Sequence, residues 1–359
     1  MLIHSQDKES ILDHTDLHQG QIKRKILIYS PAFYPLIGGL EAMVDILADQ
    51  FAQQGHEVKL ISQTPDEDST QFSFEVIRQP SLIKFLRLVH WSDIFLQANI
   101  SLKGIWPLLF IRRPLVVTHQ GWYSRSDGSL SWRDRLKYLT TRFATNIAAS
   151  SAVAEHIPAP STVIPNSYRD DIFDANHHRS RDRELIFVGR LVSDKGADLL
   201  LDALANLKTD GLTPKLTIIG SGPEEHNLRK QAKVLNIVDQ TAFVGVKREH
   251  ELAQSLNSHK ILVVPSRWEE PFGIVALEGI GCGCVVIGSH GGGLKDAIGP
   301  CGVTFANGDV EALTQALADL LTNSEQLSNY RQQAAVHLLR HQPTEVAKTY
   351  LRVFERAIL

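Results

Sequence analysis

Three cysteines in 359 residues, Cys282, Cys284 and Cys301, are too few and too clustered for a disulfide framework. No histidine pair stands beside them at metal-binding spacing. Within GIGCGCVVIG they read as small residues packed where a helix end runs into a buried strand. No apolar run approaches the roughly 18 residues of a membrane span, and the N-terminus lacks an apolar signal core. Nor is there a clean dinucleotide fingerprint. Gly38-Gly39 does not fit G-x-G-x-x-G, and Gly220-Ser221-Gly222-Pro223 has Glu225 at the third glycine position, so a dinucleotide-binding dehydrogenase loses its main support. A large charge of one sign is missing too: 37 Lys and Arg against 40 Asp and Glu leave a net charge of −3, which argues against a general nucleic-acid binder. These absences leave a folded cytoplasmic protein whose length fits two domains.

The small net charge hides a division along the chain. Residues 1–21 carry −3, 22–167 carry +3 and 168–359 carry −3. Between 100 and 142 eight cations (Lys103, Arg112, Arg113, Arg125, Arg133, Arg135, Lys137, Arg142) face only Asp127 and Asp134. Such a stretch is either solvated surface or a contact for an anionic membrane or acidic acceptor at the periphery of the inner membrane face. SLIKFLRLVHW (81–91) and WPLLFIRR (106–113) suit that contact, and amphipathic core packing accounts for them equally.

Residues 1–21 are polar and aperiodic and read as a loose tail. From KILIYS (25–30) onward, short apolar runs alternate with helical stretches as far as TVIPNS (162–167), which is the pattern of a parallel sheet wrapped by helices. YRDDIFDANHHRSRDR (168–183) reads as a linker, with His177 and His178 on its surface. The alternation then restarts at ELIFVGR (184–190) and closes with helices around 324–340 and 344–358. The fold class is therefore α/β, with two doubly wound Rossmann-like units at 22–167 and 168–343 facing a cleft, and a final helix over 344–359 returning to the first unit.

Candidate chemistry falls in loops after strands. Gly38-Gly39 precedes a helix start and could let an anion approach backbone N–H groups, or be plain turn chemistry. Arg190 directly follows a strand and Lys195 lies five residues on, a fork and a point charge suited to a diphosphate when they share a cleft, though surface charge would look alike. The sharpest pattern is Glu269-Glu270-Pro271-Phe272-Gly273, continuing to Glu278. Pro271 suits an early helical position. A helix from there would separate Glu270 from Glu278 by about 12 Å and about 80°, too far for one small group and right for the two ends of a nucleotide sugar. The bland alternative is a capping acid and a surface acid. His119 ends a strand and could donate to a reacting sugar, or be a hydrogen-bonded core histidine.

In combination these segments resemble glycosyltransferase family 4, the retaining nucleotide-sugar glycosyltransferases of GT-B fold. The resemblance is carried by PAFYPLIGGLE (31–41), VTHQG (117–121), VIPNS (163–167), FVGRLVSDKG (187–196), IIGSGPE (218–224), FVGV (243–246) and PSRWEEPFGIVALEG (265–279), the last holding the family's Glu-x7-Glu signature. It implies that Arg190 and Lys195 hold the donor diphosphate, with Gly39 approaching it or the acceptor, while Val244 and Gly245 border the base. Glu270 would contact the sugar beside the Phe272-Gly273 backbone, Glu278 the ribose, and His119 the reaction centre. Gly38, Asn99 and Gln120 would fall on the acceptor side. Ser167 stands where the family usually carries glycine. The implied reaction moves a hexose from a nucleotide-diphosphate sugar, UDP-sugar ahead of GDP-mannose, to a hydroxyl of a saccharide, glycolipid or lipid-linked acceptor with α-linkage, using neither cofactor nor metal. The competing readings are a nucleotide-sugar epimerase and a non-catalytic sugar-nucleotide-binding protein.

Overall fold

The structure, a computed structural model, describes residues 22–36, 38–65, 71–123, 131–175 and 180–359. The N-terminal stretch 1–21 and His177-His178 lie outside the described residues. The first unit runs β1 (Lys25–Ser30), α1 (Gly39–Gln53), β2 (Glu57–Ser62), β3 (Glu75–Arg78), α2 (Leu82–Trp91), β4 (Ile94–Ala98), α3 (Leu102–Ile105), β5 (Leu115–His119), α4 (Trp132–Thr140), β6 (Thr145–Ala148), α5 (Ser151–Glu155) and β7 (Ser161–Val163). The second runs β8 (Arg183–Val188), α6 (Ala197–Thr209), β9 (Leu216–Ile219), α7 (Glu225–Val234), β10 (Thr241–Phe243), α8 (Glu249–Asn257), β11 (His259–Val264), α9 (Ile274–Gly281), β12 (Val285–Ser289), α10 (Leu294–Ile298), β13 (Gly302–Phe305) and α11 (Val310–Thr322). Three helices follow: α12 (Ser324–Gln332), α13 (Ala334–Leu339) and α14 (Pro343–Ile358).

Both sheets are parallel throughout, in the orders β3-β2-β1-β4-β5-β6-β7 and β10-β9-β8-β11-β12-β13. Their central strands are almost wholly apolar (Ile26, Leu27 and Ile28 in β1; Ile261, Leu262 and Val263 in β11) because helices cover both faces. The order reverses between β1 and β4 in the first sheet and between β8 and β11 in the second. Loops leaving the carboxyl ends of those pairs diverge and leave a crevice, and the segments Pro31–Gly39, Gly189–Gly196 and Pro265–Gly273 all leave there.

Helix α14 packs on the first unit rather than the second. Val346, Ala347, Tyr350 and Phe354 form one apolar stripe that enters the core of β1, α1 and β4, with Phe51 of α1 lying 5.3 Å from Phe354 between ring centres. The Tyr350 hydroxyl meets Thr118 Oγ1 at 2.7 Å, and Arg24 Nε donates to Glu355 at 2.9 Å.

Two local expectations are corrected. Pro271 does not open a helix: Glu270 pairs in a short bridge with Gly292, Gly273 turns with φ +97°, and α9 begins only at Ile274. The reason is Phe272, whose ring is buried against His341, so the chain must cross the core before it can coil. The charged linker is also less loose than its composition suggests, since Tyr168 and Phe173 are buried in the second unit's core.

If the α14 stripe anchors the first unit, Phe354→Ala should cost about 3–5 kcal/mol, the usual price of emptying a buried aromatic site. Urea melts should show an early transition in the first unit.

Candidate active site

Lys195, Ser266 and Glu270 converge at the second switch point. Lys195 Nζ donates to Glu270 Oε1 at 2.5 Å and Ser266 Oγ to the same oxygen at 2.7 Å. One carboxylate oxygen is thus fixed twice, and its partner Oε2 has no hydrogen bond among the described residues. The Lys195 turn can lie here because Gly196 has φ +68° and a Cβ on it would fall 1.9 Å from Pro265 O. Arg190, in the loop after β8, is exposed, and its guanidinium has no ion-pair or hydrogen-bond partner among the described residues. Glu270 balances the charge of Lys195.

Helix α9 starts beside this cluster with Gly273 as its N-cap and no side chain capping its N–H groups. Facing it across the domain boundary is the start of α1, also capped by a glycine, Gly38, without a side-chain cap. A Cβ on Gly39 would sit 3.7 Å from Ile274 Cδ1, ordinary contact, so two helix N-termini meet here. They are not equivalent. The Glu41 carboxylate lies 2.6 Å from where a Gly38 Cβ would be and already supplies negative charge to α1, leaving α9 as the stronger anion field of the two.

Val244 and Gly245 leave β10 and are tied to the same place. Gly220 N donates to Gly245 O at 2.8 Å, and Gly220 packs so closely on Gly189 that a Cβ would fall 1.8 Å from its carbonyl oxygen. Glu278 lies about one turn into α9, half-buried, its carboxylate without a hydrogen-bond partner among the described residues, and burial pushes that carboxyl up to about 7. It does not meet Glu270. An unpaired carboxylate so placed suits a ligand able to donate to it.

Two of the residues expected on the acceptor side, Asn99 and Gln120, share one network, and Gly38 stands apart from it. Gln120 N donates to Asn99 Oδ1 at 2.7 Å, its side chain donates to Thr118 Oγ1 at 2.9 Å, and it accepts from Asn166 Nδ2 at 2.7 Å. Asn99 holds the left-handed φ of 61°, a conformation asparagine tolerates.

His119 is corrected. Its ring is completely buried, and both nitrogens are used. Asn146 donates its amide hydrogens to Thr141, Ala144 and Pro160 carbonyls, so its Oδ1 accepts from His119 Nε2 at 3.0 Å. Nδ1 then accepts from the Tyr123 hydroxyl at 2.7 Å, while that hydroxyl accepts from Ile100 N at 2.9 Å. His119 therefore holds the loops after β4 and β5 together and offers no ring nitrogen to a sugar.

Several contacts at the site carry no residue-type signature. Trp122 Nε1 donates to Glu269 O at 2.7 Å and Ser150 Oγ to Pro271 O at 2.7 Å, both across the domain boundary. Gly293 N donates to Glu270 O at 2.7 Å. A Cβ on Gly292 would fall 2.3 Å from Glu270 O, and one on Gly293 2.2 Å from Pro271 O. The run Gly291-Gly292-Gly293 after β12 was the available clue.

With that geometry in place, residues 168–337 match the model of the family described as Glycosyl transferases group 1. The match covers the second unit and α12 and ends within α13. A glycogen synthase of Mycobacterium tuberculosis is 28% identical, the alignment covering 83% of this chain and 86% of that protein. A GDP-mannose-dependent alpha-(1-6)-phosphatidylinositol monomannoside mannosyltransferase of Mycolicibacterium smegmatis is 25% identical over 83% and 89%. Among solved structures, Anabaena HepE in complex with UDP and glucose superposes with a TM-score of 0.78 at 20% identity, covering 93% of this chain and 100% of that one. Sucrose-phosphate synthase of Thermosynechococcus elongatus gives 0.77 at 18%, covering 93% and 99%. The two parallel-sheet units are the GT-B fold.

The buried state of His119 has a pH consequence. Burial pushes its pKa down to about 4, whereas an unfolded histidine takes a proton near 6.5. As pH falls from about 6.5 toward 4, the unfolded chain binds a proton that the native chain refuses, so this residue withdraws about 1.4 kcal/mol of stability per pH unit. Urea melts between about pH 7 and pH 5 should show a slope shallower by one proton in His119→Gln. Parallel slopes would show that the ring is not held neutral.

Proposed function

We propose that the chain moves a hexose from a nucleotide-diphosphate sugar, with a UDP-sugar the preferred donor and GDP-mannose the alternative, to a hydroxyl of a saccharide, glycolipid or lipid-linked acceptor, with retention and α-linkage. The observation that carries this is the uncapped N-terminus of α9 opening by the Lys195–Glu270 pair at a switch point, with the exposed Arg190 in the loop that leaves β8 at the same switch point. An anion placed there meets backbone N–H groups and a guanidinium, and the free Oε2 of Glu270 is available to a hydroxyl of the group attached to it. The UDP preference is supported by the HepE complexes with UDP and with UDP-glucose. The GDP-mannose dependence of the mycobacterial relative keeps the alternative in view.

In this reading the nucleoside diphosphate leaves as an anion whose developing charge is met by Arg190, Lys195 and the α9 N-terminus, all preorganised. No divalent ion is required, because those groups supply the positive charge. Glu278 accepts from ribose hydroxyls, which relieves the cost of an unpaired carboxylate. His119 acts only by holding the Asn99 and Gln120 loops on the acceptor side.

A panel of UDP-, GDP- and ADP-sugars scored by donor hydrolysis should single out the UDP-sugars. Activity should persist in excess chelator, and activity abolished by chelator and restored by Mg²⁺ would overturn the metal-free mechanism. Lys195→Ala and Glu270→Gln should each lower turnover by about tenfold or more. Near-wild-type rates in both would place the reaction elsewhere. Glu278→Gln should weaken UDP binding by about tenfold, the worth of one charge-assisted hydrogen bond, as read by calorimetry.

A further inference from the structure

Away from the donor site, an apolar groove of about 980 Å³ runs along the first unit between α4 on one side and α3 with the turn Trp106–Leu109 on the other. Helix α4 and the turn after it place Trp132, Leu136, Leu139 and Phe143 at spacings of four, three and four residues, a single helical face. In a water-soluble domain such a face turns inward. Here Trp132 is 66% and Phe143 79% exposed, and on the opposite wall Leu109 and Phe110 are 81% and 75% exposed. Two lips of bulky apolar side chains therefore stand open among the described residues.

The rim is cationic. Arg112 lines the groove, and Lys103, Arg133, Arg135 and Arg142 are exposed on or beside the helices that form it, Arg135 and Arg142 lining the adjoining hollow with His156 and Pro158. Asp134, the one acid among the described residues of 100–143, is already engaged by Ser131 and Lys137. A second copy of this chain is a poor occupant, because a symmetric pairing would press two unneutralised rims together. What complements apolar lips ringed by unpaired cations is a surface that offers acyl chains beneath anionic phosphates.

We propose that this groove docks on an anionic lipid bilayer, with the Trp132–Phe143 and Leu109–Phe110 lips entering the acyl boundary and the five rim cations facing headgroup phosphates. Helix α3 follows directly from the loop holding Asn99, so docking sets that edge of the cleft close to the lipid headgroups. The proposal does not depend on which sugar is transferred, or on transfer at all.

The test is co-sedimentation of the full chain with vesicles. Wild type should pellet with mixed phosphatidylglycerol–phosphatidylcholine vesicles and remain in solution with phosphatidylcholine alone. Phe110→Ser with Phe143→Ser, and separately Arg133→Glu with Arg135→Glu, should each lower the bound fraction by about tenfold or more. All four positions are exposed, so melting temperatures should match wild type and exclude misfolding as the cause. Wild type failing to pellet with the anionic vesicles, or either variant pair binding as wild type does, would overturn the proposal. So would a dimer seen by light scattering that the phenylalanine variants abolish, since the groove would then be covered by a second copy.

Discussion

The segment Pro265–Gly273 is the constraint on which the site depends, and it is held largely through its own backbone. Pro265 O bears on Gly196, Glu270 O on Gly292 and Pro271 O on Gly293, each so closely that no Cβ could intervene. Trp122 and Ser150 of the other unit donate to Glu269 O and Pro271 O. Carbonyls that would otherwise be orphaned in a half-buried loop are thereby satisfied. The loop's direction is settled before any ligand arrives. Because that direction is fixed, the Glu270 side chain meets Lys195 and Ser266 and α9 presents its first turn to the crevice, a preorganisation that costs nothing at the moment of reaction.

The sequence places Arg190, Lys195 and Glu270 in loops after strands because β8 and β11 are unmistakable apolar runs. In a doubly wound sheet the carboxyl ends of the central strands share one crevice. Contiguity carried the signal. The contacts that hold the loop were not legible for the opposite reason: Ser150 and Pro271 are 121 residues apart and Trp122 and Glu269 147 apart, and what they exchange is a main-chain carbonyl, which every residue possesses. Pro271 was misread because proline at a helix start and proline before a chain crossing share one φ preference. Only the burial of Phe272 separates the two.

His119 marks a different limit. Strand position places a residue at the crevice, but the direction of its ring depends on partners from other strands. Asn146 comes from β6, and its amide is oriented by three carbonyls that leave only its oxygen for the histidine. Similarly, the basic stretch at 100–142 was visible as composition, while its pairing with an exposed apolar face required the fold. Periodicity shows that a helix has a stripe; it does not show whether anything covers it.

The chain crosses between the two units twice, at Ser167–Tyr168 and again near His341, and the crossings are bonded to each other. Ser167 Oγ donates to His341 O at 2.8 Å, and His341 Nδ1 donates to Asn166 O at 2.9 Å. Burial pushes the His341 imidazole down to about 3, so it stays neutral and keeps the single tautomer this pairing needs, with Arg340 Nε donating to its Nε2 at 3.1 Å. A glycine at 167 would remove the first of these bonds and leave only the second, so serine there ties the two straps twice. The Phe272 ring packed 5.8 Å from His341 ties this crossing directly to the loop that carries Glu270.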